Sequence, residues 1–114
     1  MNDQAIEREI QAKGLTAPRV TPADIEANIN GEFSFTVGNA ARALNCPVSD
    51  AVDLLTICVL TLKNGFTVTG ESACASPENF NAELGRKIAR QNAVDKLWPL
   101  MGYALRSRLA GAEA

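Results

Sequence analysis

Asn64-Gly65 stands between two runs of β-forming residues, LLTICVLTLK and FTVTGESACA. A two-residue turn of the I′ type needs positive φ at both central positions, so this pair is the strongest short-range hairpin signal a sequence offers. The pattern predicts one strand from about Leu55 to Lys63 and a second from about Phe66 to Ala73. A two-residue loop would pair Lys63 with Phe66, Leu62 with Thr67, Thr61 with Val68 and Leu60 with Thr69. One face would carry Ile57, Val59, Phe66 and Val68 and pack on the chain's own helices. The other would carry Cys58, Leu60, Leu62, Thr67 and Thr69. An isolated two-stranded ribbon is unstable in water unless something covers it. A face that is apolar on one strand and hydroxyl-bearing on the other, with an open edge, invites a second subunit or a ligand.

The flanking segments read as helices. Residues 2–13 form a short helix with Ile6 and Ile10 one turn apart, ended by Gly14. Pro18 then disfavours helix before it, so residues 1–20 are expected to be a flexible or docking segment. Residues 21–114 are expected to form a single α+β domain. Thr21-Pro22-Ala23-Asp24 is a helix start, with Thr as cap and Pro at the first helical position. Residues 32–53 are read as an irregular, partly helical insertion in which GEFSFTV alternates briefly and NAARAL makes a turn or two of helix. Ser76-Pro77-Glu78-Asn79 repeats the helix-start logic, followed by Phe80, Leu84 and Ile88 at four-residue steps. Trp98-Pro99 is expected to kink or break this long C-terminal helix, because Pro lacks a donor and clashes with the preceding turn. Gly85 and Gly102 sit inside helical pattern at a cost of about 1 kcal/mol each, which points to close approach of another backbone or a ligand.

Composition narrows the function. The 114 residues carry a net charge of −2 and no histidine. Residues 1–77 hold 5 basic and 9 acidic groups, whereas residues 78–114 hold 6 basic and 4 acidic groups, so an anion site should involve the C-terminal third. Without histidine the usual general base and the commonest zinc ligand are gone. Three cysteines, Cys46, Cys58 and Cys74, lack CxxC spacing, which argues against a disulfide framework or zinc knuckle and fits the cytoplasm. Nothing approaches a membrane span. GxGxxG and the P-loop pattern are absent, and no carboxylate pair resembles an acid–base couple. No cofactor is expected, and the chain reads as a non-enzyme.

Candidate binding residues follow from chemistry. Thr67, Thr69 and Ser72 offer hydroxyls along one strand, although Thr is also simply a good strand residue. Arg106 and Arg108 lie on the last helical stretch, and Arg86, Lys87 and Arg90 share one side of the long helix. A guanidinium suits phosphate, but composition alone favours a solvated helix face for these groups. Lys63 at the hairpin tip reads as solubilising. Cys74 lies near a helix start, without a base to pair with it. Trp98 and Tyr103 could stack on a base, but more often such residues anchor helix packing.

The run from Thr56 to Leu109 holds a hydrophobic strand, KNGF-x-VTG, SAC, P-x-NF, G-x-x-I-A-x-x-NA and WPL-x-GY-x-L. This pattern resembles a family of small phage and prophage proteins, Gp-forty-nine-like, some of which are anti-CBASS sponges that hold cyclic oligonucleotide second messengers away from bacterial effectors. The resemblance implies an N-terminal helix, a central two-stranded antiparallel hairpin and a kinked C-terminal helix. It implies assembly into a homo-oligomer, a hexamer in such sponges, with ligands in pockets between protomers. Carried over by motif, the ligand residues are Thr67, Thr69 and Arg108, with an aromatic from Phe33 or Phe35. Sponges of this kind place a lysine on the second strand and a tyrosine in the N-terminal segment. Thr67 and the phenylalanines stand here instead, which implies a changed or lost ligand preference. The implied partners are a cyclic di- or trinucleotide and the chain itself, with no membrane and no DNA or RNA polymer. The alternative is a non-enzymatic phage module that binds a host protein or serves as a structural accessory. Nucleic-acid binding through the basic helix is disfavoured by the low net charge.

Overall fold

A computed structural model describes residues 2–111. Its elements are α1 (Asp3–Ala12), α2 (Pro22–Asn28), β1 (Ile29–Thr36), α3 (Val37–Ala43), α4 (Asp50–Asp53), β2 (Leu55–Leu62), β3 (Thr67–Ala73) and α5 (Ala82–Gly111). The class is α+β. The sheet is antiparallel, with three strands in the order β1-β2-β3, and α5 lies across one of its faces.

The expected two-stranded hairpin is therefore incomplete. The segment read as an irregular insertion supplies β1, which pairs with β2 from Gly31 opposite Thr61 to Thr36 opposite Thr56. The weak alternation of GEFSFTV hid a strand whose stability comes from its neighbour rather than from its own pattern. The rest of the insertion is held by a fork. Arg42 donates two hydrogen bonds to the Asp53 carboxylate at 2.8 and 2.7 Å, tying α3 to α4. That arginine also holds the Asp53 carboxyl below its ordinary range. Gly38 fits this corner because a side chain there would strike Asp53.

The hairpin turn also differs from the expected type I′. Gly65 has φ of +88°, while Asn64 does not appear among the residues with positive φ. The Gly65 N–H donates to the Leu62 carbonyl at 2.9 Å, and the Leu62 N–H donates to the Phe66 carbonyl at 2.8 Å. This is a turn of the first kind followed by a left-handed glycine, the usual three-residue hairpin solution. It shifts the register by one. Thr61 faces Thr67, Leu60 faces Val68, Val59 faces Thr69 and Cys58 faces Gly70. The predicted faces are corrected accordingly, because a one-residue slip moves a strand's side chains relative to its partner. Thr56, Cys58, Leu60 and Leu62 are the buried residues of β2, and they share the inner face with Val68 and Gly70. Ile57 and Val59 point the other way.

The core joins this inner face to α5 and α2 through Ile25, Cys58, Leu60, Leu62, Ala89, Ala93, Val94 and Leu97. Gly70 decides the spacing. A methyl group there would collide with the backbone of Ala89 and Ala93, so α5 touches β3 directly. Leu84 and Ile88, at the expected four-residue spacing, are instead about half exposed. Gly85 meets the Thr56 hydroxyl, whereas Gly102 faces open space.

Two helix boundaries move. Pro77–Asn79 forms only a single 3-10 turn after Ser76. The long helix begins later, at Ala82, where the Asn81 side chain accepts from the Leu84 N–H at 2.9 Å. At its far end the helix is not broken by Trp98-Pro99: Pro99 lies inside α5. Before the proline Leu97 is fully buried and the Trp98 indole donates to Asp3 at 3.2 Å, and after it Met101 packs against the core, so contacts on both sides hold the helix together.

At the other end of the chain, α2 is capped by the reciprocal bonds of Thr21 and Asp24. Helix α1 has no buried residue. It is fastened by Arg19, which donates to both Glu7 carboxylate oxygens at 2.6 and 2.7 Å, and by the Trp98–Asp3 bond.

Gly70→Ala should destabilise the fold by about 1–3 kcal/mol or more, read from urea denaturation, because two backbones would have to separate. Leu60→Ala should cost about 2–5 kcal/mol through an empty core site. The Glu7 carboxyl is lowered from the ordinary 4.5 to about 2, first by the Arg19 hydrogen bonds and then by Gln11. A depressed carboxyl adds stability that is present above its unfolded value and lost as pH falls through the folded one. The protection factors of the α1 amides, corrected for the intrinsic exchange rate at each pH, should therefore fall as pH is lowered from about 4.5 toward 2, and equal protection at both ends of that window would show that Glu7 does not hold the helix.

Candidate functional site

With α5 on the inner face, the outer face of the sheet carries residues that are exposed or half-buried. Its rows are set by the register. Gly31, Thr61 and Thr67 form one row; Phe33, Val59 and Thr69 the next; Phe35, Ile57 and Glu71 the third. The Phe33 and Phe35 rings stack with centroids 6.0 Å apart and planes 23° from parallel. Phe33 is 61% exposed. Thr67 and Thr69 are exposed on β3, and the Thr69 hydroxyl donates to Glu71 at 3.4 Å. Since β2 lies between them, the aromatic pair and the hydroxyl pair are about 10 Å apart. The surface offers stacking at one side, hydrogen bonding at the other and an aliphatic strip between.

The sequence candidates thus separate into three places. Phe35, Thr67 and Thr69 share the outer face. Ser72 does not join them: it is opposite Thr56 on the inner side and lines a small cavity of about 140 Å³ with Cys74, Phe80 and Gly85. Alternation along β3 makes this unavoidable, since 72 is odd-stepped from 67 and 69. Arg108 is elsewhere again. It lines a cavity of about 400 Å³ between α2 and the last turns of α5, together with Arg19, Asp24, Asn28, Lys63 and Met101. Arg106 is exposed on the same helix.

Lys63, read from the sequence as solubilising, lies at the same cavity as Arg108. Its backbone N–H donates to the Asn28 carbonyl at 3.1 Å, which fixes the hairpin tip against the end of α2 and brings the lysine to the cavity that Arg108 lines. No local pattern could announce a contact between residues 28 and 63. Two other cations in the neighbourhood are already engaged. Arg19 is bound to Glu7, and Arg90 spans Glu26 and Glu32, donating at 2.8 Å and 3.0 Å to the two carboxylates. Those carboxylates hold the Arg90 guanidinium above its ordinary range. Arg90 is therefore a clamp joining α5 to α2 and β1, not part of a free basic face with Arg86 and Lys87.

A larger cavity of about 490 Å³ lies beneath α1, lined by Asp3, Glu26, Arg90, Asp95 and Trp98. Its charges are mostly negative or already paired, so it suits no anion. Trp98 is partly buried here, and Tyr103, the other aromatic of the C-terminal stretch, is 77% exposed. The Cys74 thiol donates to the Ser76 carbonyl at 3.1 Å. Among the described residues no helix is long and apolar enough to cross a membrane.

The outer face offers aromatic stacking and hydroxyl donors, and the cations Lys63 and Arg108 lie at a separate cavity. Replacing both Lys63 and Arg108 by Gln should leave thermal stability nearly unchanged, since surface charges of this kind contribute about 0–1 kcal/mol. A large loss in a thermal melt would show that the two cations hold the hairpin tip instead.

The family model described as Phage protein (N4 Gp49/phage Sf6 gene 66) family matches residues 20–109. No curated protein and no solved structure matches the chain.

Proposed function

Because the chain belongs to the phage protein family of N4 Gp49 and phage Sf6 gene 66, we propose that it is a non-enzymatic anti-defence protein that sequesters cyclic oligonucleotide second messengers in the host cytoplasm. It does so as an anti-CBASS sponge, in pockets between the protomers of a homo-oligomer, a hexamer by resemblance. The observation that carries this reading is the outer face of the sheet. A stacked phenylalanine pair and two exposed threonines stand on one sheet face whose residues are exposed or half-buried in the protomer. Bases stack on aromatic rings at about 1–3 kcal/mol each, and hydroxyls suit phosphate and base oxygens. Arg108 supplies positive charge from a different part of the protomer, so a ligand that meets both must lie where copies adjoin. Pockets at such junctions are common sites for small ligands.

A second reading is a module that docks a host protein. It is favoured by the large apolar side chains left exposed, Phe33 at 61%, Leu44 at 72% and Phe66 at 53%. The two readings part experimentally. A sponge retains a small anion, whereas a docking module retains a polypeptide.

Titration calorimetry against a panel of cyclic di- and trinucleotides should show binding at micromolar concentration or tighter. Silence across the whole panel would overturn the sponge reading. Arg108→Ala should weaken binding by about 1.5–3 kcal/mol, the range for a hydrogen bond to a charged group. Thr67→Val with Thr69→Val should cost about 0.5–1.5 kcal/mol per lost neutral hydrogen bond, with the fold monitored by circular dichroism.

A further inference from the structure

The two edges of the sheet are treated differently. The ladder between β2 and β3 is fixed in phase by the Leu62 N–H donating to Phe66 and the Cys74 N–H donating to Leu54, at 2.8 and 3.1 Å. Even-numbered residues of β2 therefore bond to β3, and odd-numbered residues bond to β1. On β3 this turns the backbone groups of Thr69 and Glu71 outward, and α5 closes them. The Lys96 ammonium donates to the Thr69 carbonyl at 2.6 Å, and the Asn92 amide donates to the Glu71 carbonyl at 2.7 Å. On β1 it turns the backbone groups of Glu32 and Ser34 outward, and no partner meets them among the described residues. The strand is exposed from Asn30 to Phe33. Bare edges are pairing sites, and proteins normally blunt them. Here one edge is blunted and the other is left open.

We propose that β1 is the seam through which two copies of this chain join, their β1 strands pairing antiparallel about a two-fold axis at Phe33 to make one six-stranded sheet. Strand pairing about a two-fold axis uses the same surface on both copies, so a single open edge is sufficient. The sequence of β1 selects the register. Centred on Phe33, it sets Glu32 opposite the partner's Ser34 and Asn30 opposite the partner's Thr36, and it employs the strand from 30 to 36. Centred on Glu32, it would oppose two carboxylates, which is unfavourable. Centred on Ser34, it would run Asn30 past the end of the partner's strand into α3. The Phe33 register also brings the two exposed Phe33 rings across from each other on the outer face, where aromatic pairs stabilise a sheet. The two outer faces become one continuous surface with phenylalanines at its centre and the threonines of β3 at its rims. This proposal rests on the assembly named above and not on its ligand.

Sedimentation velocity and light scattering on the full chain test it, with circular dichroism as the check on folding. Wild type should contain an even number of protomers. Ser34→Pro removes an outward N–H without touching the ladder to β2, so it should halve the mass while the spectrum is kept. Phe33→Glu should do the same. In a Cys46→Ser background, Phe33→Cys should form a disulfide-linked dimer on mild oxidation, because residues opposite each other in a non-hydrogen-bonded pair lie at about 4.5–5.5 Å between Cβ atoms. A wild type of one protomer would overturn both the assembly and the seam. An assembled wild type whose mass neither substitution changes would overturn the seam alone and leave nucleotide binding standing. Should Ser34→Pro fail to fold, absence of the Phe33→Cys cross-link overturns the seam.

Discussion

The contact of α5 with β3 at Gly70 governs the rest of the molecule. Ala89 and Ala93 present only methyl groups, and Gly70 presents no side chain, so helix and strand backbones approach more closely than any larger residue allows. That approach fixes which face of β3 is inward. Thr67 and Thr69, offset from Gly70 by odd steps, are then turned outward with no further choice. The same closeness lets Asn92 and Lys96, on the neighbouring flank of α5, reach the free carbonyls of Glu71 and Thr69. One interaction thus buries the core, exposes the hydroxyls and seals an edge.

Opposite that sealed edge, β1 is held from within and left open outside. Arg90 crosses from α5 to Glu26 and Glu32, which anchors the start of β1 and the end of α2 on the same side chain. The Glu26 and Glu32 carboxylates, of like charge, are joined by one guanidinium, a planar fork able to serve both. The strand is therefore positioned firmly, although its outer backbone groups remain unsatisfied. Stability and availability for pairing coexist because they involve opposite sides of one strand.

The functional surface follows from this arrangement by elimination. Among the described residues Arg19 and Arg90 are engaged by carboxylates, while Lys63 and Arg108 converge on one cavity from elements far apart in the chain. Aromatic and hydroxyl groups converge on the outer sheet face. The proposed site uses both sets, which one protomer does not bring together, and in that proposal an assembly would supply the missing proximity.

Local chemistry in the chain determined a good deal. Thr21-Pro22 with Asp24 specifies the start of α2, Asn64-Gly65 specifies a reversal, and the β-branched runs on either side specify strands, because each of these is decided by neighbours within a few residues. The match of Thr56 to Leu109 to a known pattern likewise needs no structure. What tertiary contacts decided was everything non-local. Whether the turn takes two or three residues sets the register, and packing of Gly70 on α5 settled it. Phe33 and Phe35 became strand residues only because β2 offered them a ladder. Pro99 stayed inside a helix because Leu97 and Trp98 before it and Met101 after it are held by tertiary contacts. Lys63 came to the cavity that Arg108 lines, and Ser72 parted from Thr67 and Thr69, through pairings between residues distant in sequence, where no periodicity or propensity carries the information.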